Sequence, residues 1–236
     1  MAKRPVHPPA PRHPIDVGAR PRGPLCEGDL VQLIDARSNK NTITLRTDGV
    51  FHSHRGQLAH NEMIGKHEGI IINSDRAVPY QVLRPALDDY VLSMPRGAAV
   101  VYPKDAARIV GLGDIGEGSR ILEAGVGSGA LTCSLLRSAG TSGSVVSIER
   151  REEFAEIAVE NICRWFGGFP NSWDLQIADL PECQPTAGEF DSVVLDMLAP
   201  WECMDVVEQA LRPGGALVVY VATTTQLSRV VETIRV

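Results

Sequence analysis

The chain has 236 residues, 44% of them hydrophobic, enough for one good core or two modest ones, which excludes disorder throughout. A net charge of −6, from 23 basic and 29 acidic residues, excludes a protein that holds nucleic acid by bulk positive charge alone. Five cysteines form no C-x-x-C pair, and neither a long apolar stretch nor a signal-peptide core occurs, so a soluble, cytoplasmic chain without disulfides or a zinc ribbon is expected.

Residues 1–24 carry seven of the sixteen prolines and five basic residues against Asp16. This composition predicts a disordered basic leader with a balance of +4, which leaves −10 for the remainder. Residues 25–84 switch to short β-type runs, at 30–34, 42–46, 69–72 and 79–83, and predict a small β domain. Asp48-Gly49 supplies a turn between extended segments, the strongest short-range hairpin signal in this region. His52 and His54 share one face of a strand, and two histidines alone make a poor metal site, so no metal is expected.

Residues 85–236 read differently. Helical text at 85–94 and 104–110 leads into strands alternating with helices: 120–124 then 130–139, 144–149 then 152–165, 173–178, 190–195 then 201–211, and 216–222 then 225 to the end. That alternation predicts an α/β fold, a Rossmann-like parallel sheet with helices on both faces, preceded by the small N-terminal β domain. A ligand is expected beyond the carboxyl ends of the strands, where strand order reverses.

The first strand of this half runs into Glu123-Ala124-Gly125-Val126-Gly127-Ser128-Gly129-Ala130, a glycine turn that opens a helix. Glycines there let the backbone approach a ligand closely. Gly125, Gly127 and Ala130 satisfy the dinucleotide pattern G-x-G-x-x-G/A, and Glu149 closes the next strand, where a carboxylate can accept from both ribose hydroxyls. NAD and any other adenosine-bearing cofactor satisfy this equally, so an NAD(P)-dependent oxidoreductase stands as an alternative. Asp179 follows the third strand, placed to accept from an adenine amino group, and Asp196 ends the fourth at the expected switch point.

The segment Glu123-x-Gly125-x-Gly127-x-Gly129 resembles motif I of class I S-adenosylmethionine-dependent methyltransferases, and Leu211-Arg212-Pro213-Gly214-Gly215 is similar to their late loop. Val101-Tyr102-Pro103-Lys104-Asp105, Asp196-Met197-Leu198-Ala199-Pro200-Trp201 and Val219-Tyr220-Val221-Ala222 narrow the resemblance to the tRNA (adenine-N1)-methyltransferases acting on adenosine 58 of the T-loop, from about residue 28 onward. The resemblance implies S-adenosylmethionine as cofactor, tRNA as substrate and a homotetramer. It implies a cofactor site of Glu123, Gly125, Gly127, Ser128, Gly129, Leu131, Glu149, Asp179 and Asp196, with Asp196 facing the target adenine and Tyr102 near it. A non-catalytic RNA-binding subunit of a methyltransferase complex is a further alternative, which should lack the glycine loop or Asp196. The family continues past the helix expected at 225–236 with two more strands, so the chain is expected to be C-terminally truncated relative to it, with strand 216–222 as a sheet edge.

Overall fold

The computed structural model describes residues 16–18 and 21–235. By their contacts the described residues form two compact units, one within 21–94 and the other within 95–235 together with 16–18. Among the described residues no helix is long and apolar enough to cross a membrane.

The first unit contains β1 (Leu30–Asp35), β2 (Lys40–Thr44), β3 (Val50–Ser53), β4 (Gly56–Ala59), β5 (Ile71–Asn73), β6 (Pro79–Leu83) and α1 (Leu87–Ser93). An antiparallel sheet runs in the order β2-β1-β6-β5, and β3 pairs with β4 in a separate hairpin. Alternate residues of β1 and β6 point to one side, so Val31, Leu33, Tyr80 and Val82 meet Leu25, Leu45, Leu58 and Met63 in one core. The charges buried beside it are paired. Arg55 meets Asp35 at 2.7 Å, and Arg84 meets Asp29 at 2.6 Å and Glu68 at 3.5 Å.

Three expectations are corrected here. The Asp48-Gly49 turn does not join paired strands, because β2 pairs with β1 and β3 with β4; instead His60 donates its backbone N–H to the Gly49 carbonyl and Asn61 bonds Asp48. The unit extends to Met94 rather than 84, because α1 lies against β2: Thr42 contacts Ser93, and Lys40 pairs with Asp89 at 2.6 Å. The leader expected at 1–24 falls mostly on residues 1–15, 19 and 20, outside the described residues, but Val17 is buried and the carbonyls of Gly23 and Pro24 accept from Arg84.

The second unit contains α2 (Pro103–Leu112), β7 (Arg120–Ala124), α3 (Ala130–Ala139), β8 (Ser144–Glu149), α4 (Glu152–Phe166), β9 (Trp173–Ile177), β10 (Phe190–Leu195), α5 (Met204–Ala210), β11 (Leu211–Val219) and α6 (Thr224–Ile234). All five strands are parallel, in the order β11-β10-β7-β8-β9, so the chain reverses direction across the sheet between β7 and β10. Leu122, Ala124, Val193 and Leu195 form a core with Val207 and Ala210 of α5, whereas Glu123, of opposite parity, bonds Thr132 of α3. Helices therefore cover both faces.

Two element boundaries moved. The helix expected at 201–211 is a 3-10 turn at Pro200–Cys203 followed by α5; Pro200 occupies the first turn and Ala199 before it is held out of the helical region. The last strand begins at Leu211 instead of 216, because Leu211 pairs with Phe190 and residues 212–215 bulge out before Ala216 pairs with Ser192. As expected, it is an edge.

Candidate active site

Sheet order places two strand ends side by side. The Asp196 N–H donates to the Ala124 carbonyl at 2.9 Å, joining the end of β10 to the start of the glycine loop. Gly125 has φ +90°, and a Cβ on it would lie 1.8 Å from the Asp196 carbonyl oxygen, so only glycine fits at this approach. Gly129, at φ +81°, starts α3 where a Cβ would press on Ile162 and Ala158 of α4 at 3.2–3.3 Å.

Glu149 is 4% exposed at the end of β8. Its Oε2 accepts from the Gly127 N–H at 3.1 Å, its Oε1 from the Arg151 N–H at 3.0 Å, and Arg151 Nε stands 3.6 Å away. Asp179 follows β9, with its carboxylate 3.8 Å from Arg150 and no capping bond to the 3-10 turn that its backbone opens. Asp196 is half-buried, and its carboxylate has no hydrogen bond or ion pair among the described residues. Burial, with Glu149 adding to it, pushes Asp196 up to about 6.

The structure separates the remaining residues by depth. Glu123 is fully buried; both its oxygens accept from Thr132 Oγ1, at 2.9–3.0 Å, and Oε2 also from Ser147 Oγ at 2.6 Å. It braces the loop from below and presents no oxygen to the crevice. Leu131 is likewise in the core, at 3% exposure. Ser128 Oγ lies 3.2 Å from the N–H groups of Gly97 and Ala98 and from the Ala98 carbonyl, tying the segment that precedes Tyr102 to the loop. Tyr102 itself is half-exposed at the start of α2, where Pro103 fixes the first turn.

One neighbour of this group entered the sequence analysis only inside a resemblance block, with no role given to it. Tyr220 follows β11, donates its N–H to Leu195 at 2.8 Å and holds its hydroxyl 3.4 Å from Asp105. The available signal was its position one strand over from Asp196. The five cysteines are free, Cys133 and Cys203 buried with their thiols pushed up by burial, and no metal-binding cluster occurs among the described residues. A cavity of about 500 Å³ opens along the sheet face of β8 and β9, lined by Val146, Ile148 and Gln176 and, past the end of β9, by Ala178 and Leu180.

A 5-4-1-2-3 parallel sheet with a glycine loop after its first strand and acids at the ends of the second and fourth defines a class I S-adenosylmethionine-dependent methyltransferase domain. A Thermotoga maritima structure described as an S-adenosylmethionine-dependent O-methyltransferase is similar at 33% identity and TM-score 0.83, over 89% of this chain and 78% of that one. Within that class, residues 80–236 match the family described as tRNA methyltransferase complex GCD14 subunit and residues 23–72 the TrmI-like N-terminal family. The chain belongs to this tRNA (adenine-N1)-methyltransferase family. It is 34% identical, over 84% of its length and 77% of the relative's, to the tRNA (adenine(58)-N(1))-methyltransferase TrmI of Thermus thermophilus. The tRNA (m1A58) methyltransferase TrmI structure from Aquifex aeolicus is 26% identical with TM-score 0.77, over 90% of this chain and 82% of that one.

The residues present fit the cofactor of this class, which carries an adenosine and a sulfonium cation. Glu149 stands at the end of β8, bonded to the Gly127 N–H of the glycine loop. Across β7 from it, after β10, stands the Asp196 carboxylate, without a partner among the described residues, where a cation is favoured.

Proposed function

We propose that the chain uses S-adenosylmethionine to methylate N1 of adenosine 58 in the T-loop of tRNA. The observation that carries this reading is Asp196: a half-buried carboxylate without a partner among the described residues, bonded through its backbone to the root of the glycine loop, in a chain of this family. When bound, the cofactor supplies an electrophilic methyl group. On this reading Glu149 holds the ribose, Asp179 the adenine amino group, and the backbone of Gly125, Gly127 and Gly129 the space between them. Asp196 accepts from the target N6 group. Because methylation makes the ring cationic and its N6 protons more acidic, a carboxylate there stabilises the charge that develops. Tyr102, exposed beside the loop-bound segment, offers a ring for the extruded base, whose N1 lies on the Watson–Crick edge and is reached only after flipping.

The presence of both the loop and Asp196 supports a catalytic chain over a non-catalytic subunit. Among the described residues we identify none placed beside the loop to handle a hydride, which disfavours the oxidoreductase. The family resemblance also supports a cytoplasmic, RNA-binding homotetramer, checked by light scattering of the purified chain. The functional test is transfer of labelled methyl to an unmodified tRNA transcript and to one with guanosine at position 58. Labelling of both transcripts, or of neither, overturns the reading.

A further inference from the structure

Three carboxyl groups converge beneath and beside the glycine loop, and their compensation is unequal. Glu149 has two N–H donors and the Arg151 guanidinium at 3.6 Å. Asp196 has no partner among the described residues, and Glu123 has only the neutral hydroxyls of Thr132 and Ser147. The groups around Glu123 are Thr132 and Cys133 from α3, Ser147 and Glu149 from β8, Trp173 of β9 one bond further through Ser147, and Asp196 after β10. None is a cation. Like charges this close resist joint ionisation, and a fixed positive charge placed among them removes the resistance.

Resting on the cofactor reading above, we propose that Glu123 acts on the cofactor through its charge without touching it. It favours the sulfonium cation over the neutral thioether left after methyl transfer, and it releases its proton to solvent as the cation binds. Glu123 is thus a positioning residue for charge, and its loss of exposure is part of the device, since a buried acid keeps a strong field. Burial holds the group near 7, with Asp196 and Glu149 adding to the rise and the Ser147 and Thr132 hydroxyls opposing it. A sizeable fraction is therefore protonated at neutral pH. A bound cation lowers that value, so by linkage binding expels a proton and affinity for the cation rises as pH passes upward through 7. The expelled proton returns once the methyl group, and the charge with it, has gone.

S-adenosylmethionine and S-adenosylhomocysteine differ by one methyl group and one unit of charge, so their contrast isolates this effect. Titration calorimetry of both ligands, in buffers of different ionisation enthalpy between pH 6 and 8, counts the protons. For the parent chain at pH 7 we expect roughly half a proton more to be released with S-adenosylmethionine. In E123Q that difference at pH 7 should shrink to the minor share that Asp196 releases, and the affinity ratio of cation to neutral ligand at pH 8 should fall about tenfold. Equal proton counts for the two ligands in the parent overturn the proposal without any variant, as does a difference at pH 7 that is undiminished in E123Q. Failure of the parent to bind either ligand overturns the cofactor reading itself, a distinct result.

Discussion

The two units treat buried charge in opposite ways. In the β unit, Asp35 is matched by Arg55 and by bonds from Asn39 that hold its carboxyl below the usual range, and Arg84, at 6% side-chain exposure, is matched by Asp29 and Glu68. In the sheet unit, Glu123 and Asp196 have no cation beside them among the described residues, and burial pushes both upward, with Glu149 adding to each and Asp196 to Glu123. Pairing offsets the desolvation cost of a buried charge, whereas an unpaired one costs stability and persists where a ligand supplies the missing partner.

Breaking the paired side should show first in stability. Arg84→Met strands Asp29 and Glu68, and urea unfolding of the variant should lose about 3 kcal/mol, the low end for one-sided removal because both acids retain some solvent. Stability unchanged would mean that the pairs contribute nothing. On the unpaired side the effect should fall on chemistry. Asp196→Asn keeps the shape but not the charge, so single-turnover methyl transfer should drop about 100-fold with near-normal cofactor affinity. An Asn form that transfers at the parent rate makes Asp196 structural. Glu149→Gln lies between the two, since its carboxylate serves both the Gly127 N–H and, on our reading, the ribose. We expect a loss of about 2 kcal/mol in cofactor binding by calorimetry, and undiminished affinity would move the ribose site elsewhere. The smallest effect concerns the basic N-terminal sequence: deleting residues 1–15, with Lys3, Arg4 and Arg12, should leave cofactor affinity intact. The log–log salt dependence of tRNA binding should become flatter by about 1 to 2.

The sequence exposed this contrast only partly. Strands β7, β8 and β10 and helix α3 lie where their hydrophobic runs and glycine punctuation predict, and the acids at the ends of β8 and β10 follow from those boundaries. The β3–β4 hairpin is a harder case: Val50-Phe51-His52-Ser53 and Gly56-Gln57-Leu58-Ala59 are four-residue runs with polar alternation that only tertiary contact stabilises. Pro213, Gly214 and Gly215 read as a loop, so the pairing of Leu211 with Phe190 before them was hidden. Glu123 illustrates the limit at the site. Spacing places it before the loop, but which face of the strand it takes depends on Thr132 and Ser147, nine and 24 residues away. Ser128 shows the same limit, its hydroxyl spent on Gly97 and Ala98, some 30 residues upstream.

At Gly125 the side-chain direction is occupied by the main chain of another strand, the carbonyl oxygen of Asp196. The alphabet at this position therefore has one letter. Alanine, the smallest replacement, has to prise apart the two strand ends that the Asp196–Ala124 hydrogen bond closes. The lesion would separate the loop from the acid before altering either one, so a single methyl group at residue 125 uncouples two halves of the crevice that keep every one of their own side chains.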